Sequence, residues 1–279
     1  MQINKINDAL TIKMEIKAGW KQDFLFVSDV HYDSKKCDRK LLKRLFDEAL
    51  DRDAKIFVFG DWFDAMGGKY DPRTTKADIR PEYSTGTYFT DIVKDSAKFL
   101  EPYKHLIVLL ADGNHETSVR LRHEIDLLDD LRFRLDSTEE KIHRGKYNGF
   151  IRFYFVRNGS NSSKTLYYTH GGGGNSPVTK GVIKTNRRQE AIYADYYISG
   201  HIHTEWSMPR TQARLNHDNN LVIEKIHHYQ LGCFKNEFMS GGWSDHKEFA
   251  AANLGGRWFG FEHCSASQMR VKHISTIAD

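Results

Sequence analysis

Cysteine is scarce: Cys37, Cys233 and Cys264 are widely spaced and odd in number, which argues against a disulfide framework and against a thiolate metal cluster. Only five prolines occur in 279 residues, so the composition is not that of a fibrous or linker-rich chain. No apolar run reaches membrane-spanning length, and residues 1–17 alternate polar and apolar without a basic stretch leading into an apolar one. The expectation is a cytosolic chain with neither signal peptide nor membrane partner. A long basic stripe is also missing. The formal net charge of +4 favours anionic substrates without marking a dedicated nucleic-acid module or a processive nuclease.

What is present is the composition of a soluble α/β protein, 39% hydrophobic and 28% charged, with no shift that divides it. One domain over residues 1–279 is expected. Residues 24–27 form an apolar run that stops abruptly at Ser28-Asp29-Val30-His31, which reads as a buried strand delivering polar groups at its end. Residues 39–53 place Leu41, Leu42, Leu45, Phe46, Ala49 and Leu50 at helical spacing, and the next apolar run, 56–59, ends in Gly60-Asp61. The unit is βαβ. It recurs as a helix over 89–100, a strand over 106–110 and a third polar end at Asp112-Gly113-Asn114-His115-Glu116. A charged helix over 118–135, a hairpin of 150–156 with 165–169 running into His170, a helix over 186–194 and a strand over 195–198 feeding His201 and His203 complete this part. Two more strands are read at 221–226 and 228–234, and an irregular Gly/Trp-rich stretch at 239–261.

Asp29, His31, Asp61, Asn114, His170, His201 and His203 thus sit at successive strand ends, which open α/β sheets gather on one edge. Imidazole mixed with carboxylate suits divalent transition metals, and a carboxylate bridges two ions about 3.5 to 4 Å apart. Two such ions are close enough to share a nucleophile. Each motif alone is a weak signal. Five in succession are not.

Through Asp29-Val30-His31, Gly60-Asp61-Trp62-Phe63-Asp64, Gly113-Asn114-His115-Glu116, Thr169-His170-Gly171 and Gly200-His201-Ile202-His203, residues 24–205 resemble the calcineurin-like metallophosphoesterase family. The resemblance implies a two-sheet β-sandwich flanked by helices. It implies that Asp29, His31 and His203 bind one ion, that Asn114, His170 and His201 bind another, and that Asp61 bridges them. His115 would face substrate as the catalytic residue, stabilising the phosphoryl group or protonating the leaving oxygen. Asp64 and Glu116 are read as hydrogen-bonding groups beside the ligands and not as ligands. Manganese is the favoured metal, with iron, zinc and nickel as alternatives.

Substrate choice is expected to lie in two loops. An insertion near 65–90, directly after Asp61, offers Lys69, Arg73 and Arg80 to phosphate and Tyr70 and Tyr83 to a stacking base. The glycine run 171–174 is followed by Lys180, Arg187 and Arg188 as further phosphate contacts. This loop composition is similar to that of family members carried by bacteriophages. The expected activity is a phosphodiesterase acting on nucleotide or nucleic-acid-like diesters. A phosphomonoesterase on small substrates is the alternative, and a non-catalytic scaffold of the same fold, which would have lost a ligand or His115, is the reading from another class.

Overall fold

The computed structural model describes residues 1–70, 77–136, 141–174, 176, 179, 181–216, 218–238, 253–264 and 271–279. In chain order its elements are β1 (Gln2–Ile6), β2 (Ala9–Glu15), β3 (Lys21–Val27), α1 (Arg39–Asp51), β4 (Lys55–Phe59), α2 (Tyr88–Leu100), β5 (Ile107–Ala111), α3 (Asn114–His123), α4 (Leu127–Leu135), β6 (His143–Arg144), β7 (Asn148–Arg157), β8 (Ser160–Thr169), α5 (Val182–Ala191), β9 (Tyr196–Ser199), β10 (Trp206–Leu215), β11 (Leu221–Gln230), β12 (Gly256–His263) and β13 (Val271–Ala278). They form two mixed sheets, ordered β1-β2-β7-β8-β9-β11-β10 and β13-β12-β3-β4-β5-β6.

The apolar runs are continuous because their strands are covered on both faces. From β3 and β4, Phe24, Phe26, Phe57 and Phe59 point inward and meet Phe153, Phe155, Phe259 and Phe261 between the sheets. The rings of Phe26 and Phe259 stack at 4.7 Å, and those of Phe24 and Phe153 lie 5.2 Å apart. Alternate residues Leu25, Val27, Ile56 and Val58 point outward, into the layer that holds Leu42, Leu45 and Phe46 of α1 and Ile92 and Val93 of α2. The Asp38 side chain caps α1 by accepting from the Lys40 and Leu41 amides.

Several sequence expectations are corrected. The helix over 118–135 is two helices, α3 and α4, broken at Glu124, which takes the left-handed conformation with φ 58°. Asp126 then caps α4 through the Asp129 amide. No Gly or Pro marks this break, so the charged run reads as continuous. The strands expected at 221–226 and 228–234 merge into one strand, β11, which ends at Gln230 and pairs along its length with β10, a strand absent from the sequence expectations; residues 231–234 lie beyond its end. Within the stretch 239–261, residues 256–261 belong to β12, an inner strand between β3 and β13 that buries Phe259 and Phe261. Of the remainder of that stretch, 239–252 lie outside the described residues. The helix expected over 186–194 runs from Val182 to Ala191.

Strands β3, β4 and β5 run parallel in one sheet, and β8 and β9 run parallel in the other. Their C-terminal ends supply all seven residues read as ligands. Among the described residues, no helix is long and apolar enough to cross a membrane.

Candidate metal centre

Five of the seven residues occupy left-handed backbone: Asp29 (φ 53°), His31 (49°), Asp61 (51°), His201 (76°) and His203 (54°). Such conformations cost about 1–3 kcal/mol each and persist where surrounding structure enforces them. Here the enforcement is visible. Past the end of the β3–β4 ladder, the amides of Asp29 and His31 donate to the carbonyls of Gly60 and Asp61. The Phe234 amide donates to the Asp29 carbonyl from the far part of the chain. Gly113 and Gly200 permit close approach: a Cβ at Gly113 would collide with Asp61 Oδ1, and one at Gly200 with Ser28 Oγ.

Asp29 Oδ2 accepts from Ser28 Oγ at 2.6 Å and from the His201 amide at 2.8 Å. Its Oδ1 is buried with no hydrogen-bond partner among the described residues, 3.3 Å from His203 Nε2. His31 Nδ1 lies 2.9 Å from Asp64 Oδ1, which turns Nε2 toward His203 Nε2 at 3.2 Å. On the other side, His170 Nδ1 faces the Phe59 carbonyl at 3.0 Å. Its Nε2 therefore points at Asp61 Oδ2 (3.1 Å), Asn114 Oδ1 (3.1 Å) and Asp29 Oδ1 (3.8 Å). Asn114 Oδ1 is also 2.8 Å from His201 Nδ1.

With His170 Nδ1 facing the Phe59 carbonyl and His31 Nδ1 within ion-pair distance of Asp64, the Nε2 atoms of both rings converge with carboxylate and amide oxygens on a common centre. Acceptors facing acceptors are repulsive unless a cation lies between them. A proton on His170 Nε2, or a metal ion in its place, relieves that repulsion, and the charges of the cluster follow from it. Burial opposes ionisation of Asp29 and Asp61, yet the His170 imidazole holds both well below the usual carboxylate range. Burial also opposes charge on His170, but Asp61 and Asp29 push it up to about 10. His31 is pushed down to about 4 by burial, against the pull of Asp64, which keeps its lone pair available. The donor set fits divalent metal ions, grouped as Asp29/His31/His203 and Asp61/His170/His201, with Asn114 Oδ1 adjoining the second group.

A third cluster, His31/Asp64/His115, also has metal-like spacing. It does not suit a cation. The Lys235 ammonium sits 2.9 Å from Asp64 Oδ1 and already neutralises it. Asp64 instead orients both neighbouring imidazoles, His31 through its carboxylate and His115 through its backbone carbonyl, which lies against His115 Nδ1. His115 Nε2 is thereby left 3.8 Å from Asp61 Oδ2. Glu116 matches its reading as a helix-start group: its carboxylate accepts from the amides of Gly113, Asp61 and Phe63, tying the loops after β4 and β5 together.

Three supports escaped the sequence reading. Asp33 accepts from the amides of Asp64 and Ala65 and from the Tyr88 hydroxyl, fixing the turn that carries Asp64. Tyr147 packs its ring edge-on against His170 and donates to the Gly171 carbonyl at 2.6 Å. Lys235, beyond the last motif, bonds Asp64 and lies 3.3 Å from Glu237. Only Asp33 had a local signal, its place two residues after His31.

Lys235→Ala would leave the buried Asp64 carboxylate without its ammonium. A loss of about 3–5 kcal/mol in unfolding free energy is expected, read from urea denaturation with chelator present. A loss below about 1 kcal/mol would show that His31 alone suffices for Asp64.

The loop residues divide. Lys69 and Tyr70 are exposed, and the Tyr70 ring lies 5.6 Å from that of His123. Arg80 donates to the carbonyls of Ser34 and Cys37. Tyr83 is a correction: it is 4% exposed and its hydroxyl bonds Asp95 and Arg39, so it has no free face for a base. Arg187 is exposed on α5, whereas Arg188 is half-buried near the Tyr167 and Tyr197 rings, and that burial lowers its pKa. Arg73 and Lys180 lie outside the described residues.

No curated protein matches the chain. Similar solved structures include a predicted phosphoesterase from Streptococcus pneumoniae TIGR4 at 12% identity, covering 92% of this chain and 99% of that one with a TM-score of 0.32. Vps29 of Chaetomium thermophilum is 8% identical over 92% and 98% of the two chains, with a TM-score of 0.36. A metallophosphoesterase from Sphaerobacter thermophilus is 12% identical over 86% and 83%, with a TM-score of 0.35. The model of the calcineurin-like phosphoesterase family matches residues 23–205, from within β3 to just past the last of the five sequence motifs, and the chain belongs to that family.

Proposed function

We propose that this protein is a phosphodiesterase acting on nucleotide or nucleic-acid-like diesters, with two divalent ions, manganese foremost, held by Asp29, His31, Asp61, Asn114, His170, His201 and His203. The observation that supports it is the convergence of seven carboxylate, imidazole and amide ligand groups on one centre, with the His115 ring standing 3.8 Å from Asp61. Two ions bound there would supply an acidified water and positive charge for the phosphoryl oxygens. The chain's own residues do the rest. Asp61 joins the two halves of the donor set, and Asp64 holds His31 and His115 in register. His115 presents Nε2 to a phosphoryl or leaving oxygen. The complete ligand set with His115 in place argues against a scaffold that has lost its chemistry, and the exposed Lys69, Tyr70 and Arg187 favour a nucleotide-like diester over a small monoester.

Manganese-loaded protein is expected to hydrolyse bis-p-nitrophenyl phosphate, and faster than p-nitrophenyl phosphate. Absence of turnover with manganese, nickel, zinc and iron(II) each tried would overturn the enzyme reading, and the reverse rate order would make the protein a monoesterase.

A further inference from the structure

Helix α3 begins on Asn114 at the metal centre, and Asn114, Thr117, Ser118, Leu121 and Arg122 follow one another at helical spacing along a single stripe. With Tyr147 they line an open groove of about 480 Å³, inside the size range of small-ligand sites. The stripe changes character along its length. Next to the centre lie hydroxyls. Leu121 is then 79% exposed and shares the lining with Tyr147. At the far end, about 12 Å from Asn114 at about 1.5 Å per residue, stands Arg122. Its Nη1 donates to the Tyr70 carbonyl at 3.2 Å and its Nε to Ser118 Oγ at 3.3 Å. These bonds use two of five guanidinium donors and hold the cation beside the Tyr70 segment, where the Tyr70 ring is 70% exposed.

Resting on the phosphodiesterase reading, we infer that this groove binds the nucleotides flanking the scissile phosphate of a single-stranded nucleic acid, with Arg122 on a neighbouring phosphate and Tyr70 stacking a base. The groove leads away from the residues that would hold the reacting phosphate, so a chain leaving that phosphate has a path along α3. An apolar side chain, an aromatic face and a fixed cation in sequence match the alternation of base and phosphate along a strand. A bis-aryl phosphate carries no second anion for Arg122. Stacking faces serve unpaired bases, whereas paired bases keep theirs inside the duplex, which sets the preference for a single strand.

The test has a binding arm and a turnover arm. Fluorescence anisotropy with labelled dodecathymidylate compares the wild-type chain with Arg122→Ala, Arg122→Lys and Tyr70→Ala. Arg122→Ala and Tyr70→Ala are each expected to weaken binding about tenfold. Arg122→Ala also flattens the dependence of log Kd on log salt by about 0.7, and Arg122→Lys restores that slope. In turnover, the ratio of kcat/KM for the oligonucleotide to that for bis-p-nitrophenyl phosphate falls at least tenfold in Arg122→Ala. Equal binding by wild type and Arg122→Ala, or equal losses for duplex and single strand, would overturn the inference. Turnover of the bis-aryl phosphate with no binding of the oligonucleotide would sink the groove assignment alone. Binding of the oligonucleotide lost in Arg122→Ala, with no turnover of any ester, would sink the phosphodiesterase reading alone.

Discussion

Asp61→Asn is expected to lower turnover of a diester about 10³-fold and to reduce metal content at both halves of the centre together. The fold change corresponds to about 4 kcal/mol at about 1.36 kcal/mol per decade, the scale of stabilisation that a metal ion lends to a reacting phosphoryl group. Against the cost of burial, imidazoles of both halves, His170 and His31, hold the Asp61 carboxyl charged. Its Oδ1 accepts from the His115 amide at 3.0 Å while Oδ2 lies 3.1 Å from His170 Nε2, and its backbone is locked by Glu116 and by the left-handed turn at φ 51°. Asparagine fits the same space. It removes the negative charge and sets an amide donor among acceptors, so the variant folds but presents a weaker donor set. Two readings separate the outcomes: metal per chain after dialysis, measured by emission spectrometry, and the rise in Tm on adding manganese, which tracks binding to the folded state. Wild-type stoichiometry and an unchanged Tm rise in Asp61→Asn would remove Asp61 from the bridge.

The parts of this centre that the sequence displayed are those with a local cause. The runs ending at Val27 and Phe59 read as strands because both faces are covered, which forces every position to be apolar until the ladder ends. At that point Asp29 and Asp61 break the pattern. His201 and His203 stand out for the same reason after β9. What the sequence concealed depends on partners distant in the chain. The Asp64–Lys235 contact spans 171 positions, and Lys235 has no motif around it. The β10–β11 ladder depends on pairing between two half-exposed strands whose alternation is interrupted by charged and histidine residues. The break at Glu124 lacks the glycine that normally marks a left-handed cap. Tyr83 illustrates the opposite error. An aromatic in a polar loop suggested substrate contact, yet Tyr83 fastens that loop to Asp95, beside Arg80, which bonds the Ser34 and Cys37 carbonyls. Composition names the side chain but not its direction.

His115→Ala, by contrast with Asp61→Asn, should keep its metal and lose about 10²- to 10⁴-fold in kcat, the range for a positioned acid or base. Metal survives because the contribution of residue 115 to the centre is its backbone: the amide that bonds Asp61 Oδ1 does not depend on the imidazole. The ring itself is held by the Asp64 carbonyl at Nδ1, so Nε2 is the nitrogen free to meet substrate. Its two candidate duties predict different patterns. If Nε2 donates to a non-bridging phosphoryl oxygen, the loss is similar for every ester. If it protonates the leaving oxygen, the loss is large for a nucleoside alkoxide and small for p-nitrophenolate, which departs without a proton. Comparing the variant on the p-nitrophenyl ester of thymidine 5′-phosphate with its activity on a dinucleotide, whose leaving group is an alkoxide, decides between them. A fall in bound metal in His115→Ala would contradict both, since it would make the imidazole a ligand and leave the Asp64 carbonyl contact without a catalytic consequence.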